Sequence, residues 1–98
     1  MADDDFDALA ERTLDALERA LEDTGLDFER KEGGIVEIEL DDGSRIIVNR
    51  HSAAREIWVA ARSGGFHFGW DGAAWRDTRN GNELFKALSG LLQVELKP

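Results

Sequence analysis

Ile35-Val36-Glu37-Ile38-Glu39-Leu40-Asp41-Asp42-Gly43-Ser44-Arg45-Ile46-Ile47-Val48-Asn49-Arg50 is the stretch that decides the fold. Val36, Ile38 and Leu40 alternate with Glu37 and Glu39, the period of two shown by a strand with one buried and one wet face. Asp42-Gly43 then breaks the alternation, and an Asp-Gly step between two alternating runs signals a hairpin. Arg45 to Arg50 is therefore the antiparallel partner.

Beyond the hairpin, Ser52-Ala53-Ala54 makes a break and Glu56 to Ala61 reads as a third strand. Ser63-Gly64-Gly65 turns the chain into a fourth, Phe66 to Trp70, and Asp71-Gly72 turns it again into a short strand around Trp75 and Arg76. After Arg79-Asn80-Gly81, the spacing of Leu84, Phe85, Leu88, Leu91 and Leu92 becomes helical and predicts a helix ending near Leu92. Val94-Glu95-Leu96 is a tail without an assignment. Before the hairpin, Phe6, Leu9, Ala10, Leu14, Leu17 and Leu21 recur every three or four residues and predict a helix from Asp4 to Asp23. Acidic residues crowd its first turn, and Gly25 offers the permissive backbone of a C-terminal cap. Helix, meander, helix implies an α+β two-layer sandwich: two terminal helices packed on one face of an antiparallel sheet of about five strands.

At 98 residues the chain has room for a single domain, 1–98. No run approaches the roughly 18 apolar residues of a membrane span, and Asp3, Asp4 and Asp5 stand where a secretory signal would be basic and then apolar. The expected location is cytoplasmic. The absence of cysteine excludes disulfides, thiolate nucleophiles and cysteine-held clusters on this chain. Residues 1–42 carry 16 acidic and 4 basic side chains, whereas 43–98 carry 5 acidic and 8 basic ones. An acidic half of this kind repels nucleic-acid phosphates and anionic membranes, and attracts cations and basic protein surfaces.

Asp7, Glu11, Asp15, Glu18 and Glu22 follow one another at intervals of four, four, three and four. At roughly 100° per residue they fall within about 80° of arc, beside the apolar stripe, as one ridge of carboxylates. Like charges at i,i+4 each destabilise a helix by roughly 0.2–0.5 kcal/mol. Arg12 and Arg19 lie on another flank and cannot pair along the ridge. Asp23, Glu37 and Glu39 extend the acidic surface if the first strand of the hairpin lies beneath the helix at the sheet edge. The pattern fits a solvated face that keeps the protein soluble, a weak and labile site for hard cations, or a docking face for an Arg/Lys patch. No EF-hand loop is present.

Several segments together resemble the bacterial frataxins of the CyaY type. Asp42-Gly43-Ser44-Arg45-Ile46-Ile47-Val48-Asn49-Arg50 is similar to that family's hairpin, Ile57-Trp58-Val59-Ala60 to its apolar-Trp-apolar-Ala strand, and Gly64-Gly65-Phe66-His67-Phe68 to its Gly-Gly-aromatic-His-Phe segment. Trp75 and a closing helix from near Asn82 fall where the family places a tryptophan strand and second helix, after an acidic first helix. The resemblance implies a protein that is not an enzyme. It implies weak iron binding on the ridge, contact of that ridge with a cysteine desulfurase, and modulation of cluster assembly on an iron–sulfur scaffold protein. By position, Asp3, Asp7, Glu11, Glu18, Glu22 and Asp23 carry over as metal residues; Asp15, Glu37 and Glu39 join as acidic partner-binding residues.

Trp58 should face away from Ile57 and Val59, on the sheet surface that the family turns to a partner, and Asn49 shares the parity of Ile47 and joins it. Trp70 and Trp75 read as core or edge packing. His51 and His67 lack a neighbour at ligand spacing, so structural or surface roles are favoured over metal ligation. No serine sits in a nucleophile elbow, and Gly64-Gly65 belongs to neither a P-loop nor a dinucleotide fingerprint. Three functions remain: an iron-binding regulator of cluster assembly, a metal-independent acidic protein-binding module, and an oligomerising iron-storage protein. A ferroxidase of the last kind would need a di-iron site, for which the sequence has no Glu-x-x-His pair. The expected state is a monomer, with iron-induced oligomers as an alternative.

Overall fold

The computed structural model describes residues 3–97, the side chains of 3 and 4 excepted. Its described residues form helix α1 (Asp3–Glu22), strands β1 (Asp27–Lys31), β2 (Ile35–Glu39), β3 (Arg45–His51), β4 (Glu56–Ala61), β5 (Gly64–Trp70) and β6 (Trp75–Asp77), and helix α2 (Leu84–Leu92). All neighbours pair antiparallel in chain order, so the sheet is a six-stranded meander. The expected α+β sandwich is the observed one, with one strand more than the sequence reading gave.

The additional strand is β1, whose alternation is carried on its inner side by Phe28 and Arg30 alone. They oppose the buried Ile38 and Val36. An inward charge at a sheet edge blunts further strand pairing, which is a protective device as well as a disguise for the period of two. Because β1 lies outside β2, Glu37 and Glu39 do not stand on an edge strand beneath α1. They share the parity opposite to the buried Val36 and Ile38, and so belong to the open face of the sheet.

The core fills the space between sheet and helices. Val36, Ile38, Ile46, Val48, Ile57, Val59 and Phe68 meet Phe6, Ala10, Leu14, Leu17 and Leu21 from α1 and Leu84, Phe85, Leu88 and Leu92 from α2. The hairpin closes as expected: Leu40 N–H donates to Ser44 O at 2.8 Å, and Gly43 takes φ +87°. Trp75 is core, its Nε1 donating to Thr13 Oγ1 at 2.8 Å, while Trp70 packs edge-on against it and stays 36% exposed. At the start of α2 the Glu83 carboxylate accepts from the N–H groups of Phe85 and Lys86, satisfying two donors of the first turn. The unassigned tail is anchored: Leu96 is buried, and its N–H donates to Ser89 Oγ at 3.0 Å.

Candidate functional site

The acidic ridge of α1 exists, but it is not a free row of carboxylates. Arg30 faces the helix side of the sheet from the edge strand, and its guanidinium spans three of them. Nη1 donates to Asp15 Oδ1 and to Glu18 Oε1, and Nη2 to Glu11 Oε1, each at 2.9 Å. Burial of the guanidinium pulls its proton affinity down. Hydrogen bonds to Asp15 and Glu18 and the field of Glu11 outweigh that effect and hold Arg30 above the ordinary arginine range.

A second cation closes the N-terminal half of the ridge. Arg50, on β3, reaches Glu11 Oε2 at 3.5 Å and Asp7 Oδ1 at 4.0 Å. Glu11 Oε2 is itself buried and accepts no hydrogen bond. Arg50 is set in place by a close backbone approach. Its N–H donates to Gly34 O at 2.8 Å, and a Cβ on Gly34 would lie 2.9 Å from Arg50 Cβ. Asp7 also accepts from Ser52 Oγ at 2.9 Å.

The ridge residues therefore divide. Asp7, Glu11, Asp15 and Glu18 share two guanidinium groups, while Glu22 and Asp23 are exposed and, among the described residues, have no ion pair. The side chain of Asp3 lies outside the described residues. Hard oxygen donors suit a divalent cation such as Fe²⁺, and exposed carboxylates without imidazole give weak binding. Among the described residues, no three His, Asp or Glu are gathered in a ready-made metal geometry. Sequence reasoning missed Arg30 because it lies in the strand it missed; the sign was its shared parity with Phe28 just before the Gly33-Gly34 turn.

On the open face, Glu37 and Glu39 meet acidic partners rather than the helix. Glu29 stands opposite Glu37 and Asp27 opposite Glu39, so like charges face each other across β1 and β2. Lys31 at 2.8 Å and Arg45 at 2.8 Å relieve Glu37. The Lys31 hydrogen bond holds the Glu37 carboxyl below the usual carboxylate range, and Lys31 rises in return.

Trp58 is on this face, opposite in parity to the buried Ile57 and Val59, as the alternation requires. Asn49 is its direct cross-strand partner, and Ile47 on the same face is 36% exposed. The indole is sandwiched between two imidazoles, His51 at 3.7 Å with planes 15° apart and His67 at 4.4 Å with planes 10° apart. Its Nε1 donates to Glu56 Oε1 at 2.7 Å. The two histidines thus have surface roles as supports for Trp58, a pairing invisible until the register of β3, β4 and β5 is known.

The geometry agrees with what the chain is similar to. The family model for the frataxin-like domain matches residues 1–98. The iron-sulfur cluster assembly protein CyaY of Dechloromonas aromatica (strain RCB) is 61% identical over 93 residues, 93% of this chain and 89% of that protein. The protein of the same name from Cupriavidus taiwanensis is 47% identical, over 97% of this chain and 90% of that one. Among solved structures, the frataxin from Psychromonas ingrahamii superposes with a TM-score of 0.85 at 26% identity, over 92% of this chain and 87% of that one. The proteins of this family are not enzymes. Fold, acidic first helix, tryptophan-bearing sheet and sequence identity converge: the chain belongs to the frataxin-like CyaY family.

Proposed function

We propose that this protein is a cytoplasmic, weakly iron-binding accessory of iron–sulfur cluster assembly, which docks the acidic face of α1 on a cysteine desulfurase and modulates the rate of assembly. The observation that carries the reading is the alignment of Asp7, Glu11, Asp15, Glu18 and Glu22 along one helix flank in a chain whose curated relatives are named for cluster assembly. A carboxylate row steers a basic partner and makes charge-assisted contacts with it, and the same oxygens take a hard cation weakly. The open face with Trp58 and Asn49 is the second surface of this reading, offered to the scaffold protein. The two surfaces lie on opposite sides of the sheet, so both can be engaged at once.

One observation favours a metal-independent variant of the reading. The carboxylates of Glu11, Asp15 and Glu18 already hold a guanidinium, the group that a partner's arginine would present. Two measurements separate the variants. A pull-down with purified cysteine desulfurase, at low and at high salt, should retain the wild type and lose the triple variant Asp7→Asn, Glu22→Gln, Asp23→Asn at low salt. Equal retention of the variant removes the docking role. Anaerobic Fe²⁺ titration followed by amide signals should shift residues of α1 selectively; no shift there removes iron binding by the monomer.

A further inference from the structure

We propose that His51 is a proton-sensitive support of the open sheet face: its neutral imidazole closes the turn after β3 and stacks on Trp58, and its protonation releases that turn and weakens docking there. The proposal rests on the reading of this face as the surface for the scaffold protein and adds its regulation. Strand register places the groups. Ile35, Asn49, Trp58 and His67 form one row across β2 to β5, and His51, Glu56, Gly69 and Arg76 form the next across β3 to β6. Both faces of the indole are covered, with ring centroids 3.7 Å away at His51 and 4.4 Å away at His67. A partner therefore meets three near-parallel rings as a unit and buries the imidazoles together with the tryptophan.

The two imidazoles differ in what a proton does to them. His51 Nδ1 accepts the Ala54 N–H at 3.3 Å, in the same turn that the Arg55 N–H closes on Ser52 O at 3.1 Å. A ring nitrogen that carries a proton has no lone pair left to accept with, so a charged His51 loses the Ala54 bond. His67 Nδ1 instead lies 3.8 Å from Glu56 Oε1, where a proton adds attraction. That oxygen is also the acceptor of Trp58 Nε1 at 2.7 Å. The carboxylates nearest His51 in the fold are Glu56 and Glu32 of the β1–β2 turn, and among the described residues neither is ion-paired with it. Of the cations, Arg50 reaches to the helix side toward Asp7 and Glu11, Arg55 lies in the turn itself, and Arg76 is tied to Asp71. A partner that covers a charged His51 thus buries a charge without a counter-ion, which costs affinity. Imidazole changes charge between about pH 5 and 8, which sets the window of the response.

The experiment has two readouts on wild type, His51→Asn and His67→Asn. Asparagine places an amide oxygen near the position of Nδ1 and cannot be protonated in this range, so His51→Asn keeps an acceptor and removes the switch. The first readout is nuclear magnetic resonance of each protein alone between about pH 8 and 5.5. In wild type the Ala54 amide signal should move with the same midpoint as the His51 imidazole, whereas in His51→Asn it should stay still. An Ala54 amide that does not follow His51 in wild type overturns the proposal, whether or not either variant folds. The second readout is affinity for the purified iron–sulfur scaffold protein at the two ends of that range. Wild type and His67→Asn should bind about three- to tenfold more weakly at the acid end, and His51→Asn should lose that ratio whatever its absolute affinity. An equal ratio in wild type and His51→Asn overturns the regulation by His51 while leaving the docking face intact. Absence of binding by wild type at both ends refutes the docking reading itself and, with it, the effect on docking.

Discussion

Replacing Trp58 by alanine asks how firmly the open sheet face is built. The indole has two stacked ring contacts, at 3.7 Å and 4.4 Å, and one hydrogen bond to Glu56 at 2.7 Å. Aromatic pairs contribute about 0.5–1.5 kcal/mol each beyond area burial, and a hydrogen bond about 1 kcal/mol. Both rings are partly wet, which places the total toward the low end, about 2 kcal/mol. No cavity penalty is added, because the indole lies on a face that no helix covers. Trp75→Ala, by contrast, would open the core and cost about 3–5 kcal/mol. In a chain of 98 residues, 1 kcal/mol corresponds to about 4–8 °C, so Trp58→Ala should melt about 10 °C lower and still fold.

Urea unfolding followed by far-UV circular dichroism measures the loss without relying on the fluorophore removed. A double-mutant cycle with His51→Ala isolates the stack, with an expected coupling of about 1 kcal/mol. A coupling near zero would show that the sandwich does not hold in solution, and a loss above about 4 kcal/mol would assign Trp58 to the core. The folded variant should also fail to retain the iron–sulfur scaffold protein; full retention refutes the role of this face.

Three other outcomes follow from individual contacts. Thr13→Val removes the acceptor of the Trp75 indole N–H while keeping the shape, and should cost about 1–2 kcal/mol in urea unfolding; a neutral result means the N–H finds another partner. Gly34→Ala combines a φ of +76° with a Cβ 2.9 Å from Arg50, so it should destabilise by at least about 2 kcal/mol. Gly33→Ala, with φ +88° and open space, should cost only about 1, and equal losses would remove the close-approach argument. Asp42, Asp71 and Glu37 have lowered folded values, Asp42 and Asp71 chiefly through hydrogen bonds in their own turns and Glu37 through Lys31. Their contribution is present above the unfolded values of 3.8, 3.8 and 4.5 and is lost as pH falls through the lower folded ones. Asp42→Asn with Asp71→Asn should flatten the acid limb of stability against pH, and identical limbs would show that neither carboxylate is held in solution.

Most of the architecture was legible because buried strands and amphipathic helices advertise their period. The alternation of β2 and β3 around Asp42-Gly43, the stripe of α1 and the outward parity of Trp58 all follow from spacing. β1 hid because an edge strand needs little apolar surface: Phe28 alone marks its inner face, and Arg30 replaces a second apolar side chain there. The ridge was legible as spacing and not as electrostatics, since the cations that close it come from β1 and β3. The His51–Trp58–His67 stack depends on register, and periodicity within one strand says nothing about which residue its neighbour presents.

The formal charge of the first 42 residues therefore overstates the field a partner meets. Asp7, Glu11, Asp15 and Glu18 share two guanidinium groups, and Glu37 is tied to Lys31 and Arg45. Among the described residues of the ridge, the charge without an ion pair lies instead at the C-terminal end of α1, on Glu22 and the adjoining Asp23, where the helix dipole is itself negative and repels a further carboxylate. Placing acidic side chains there costs stability that a neutral residue would not. A cation, whether metal or arginine, is attracted by the helix end and the side chains together. It is accordingly at the Glu22 end, and not at the centre of the ridge, that a basic partner surface should make its first contact, with Arg30 yielding only as the contact spreads toward Glu11.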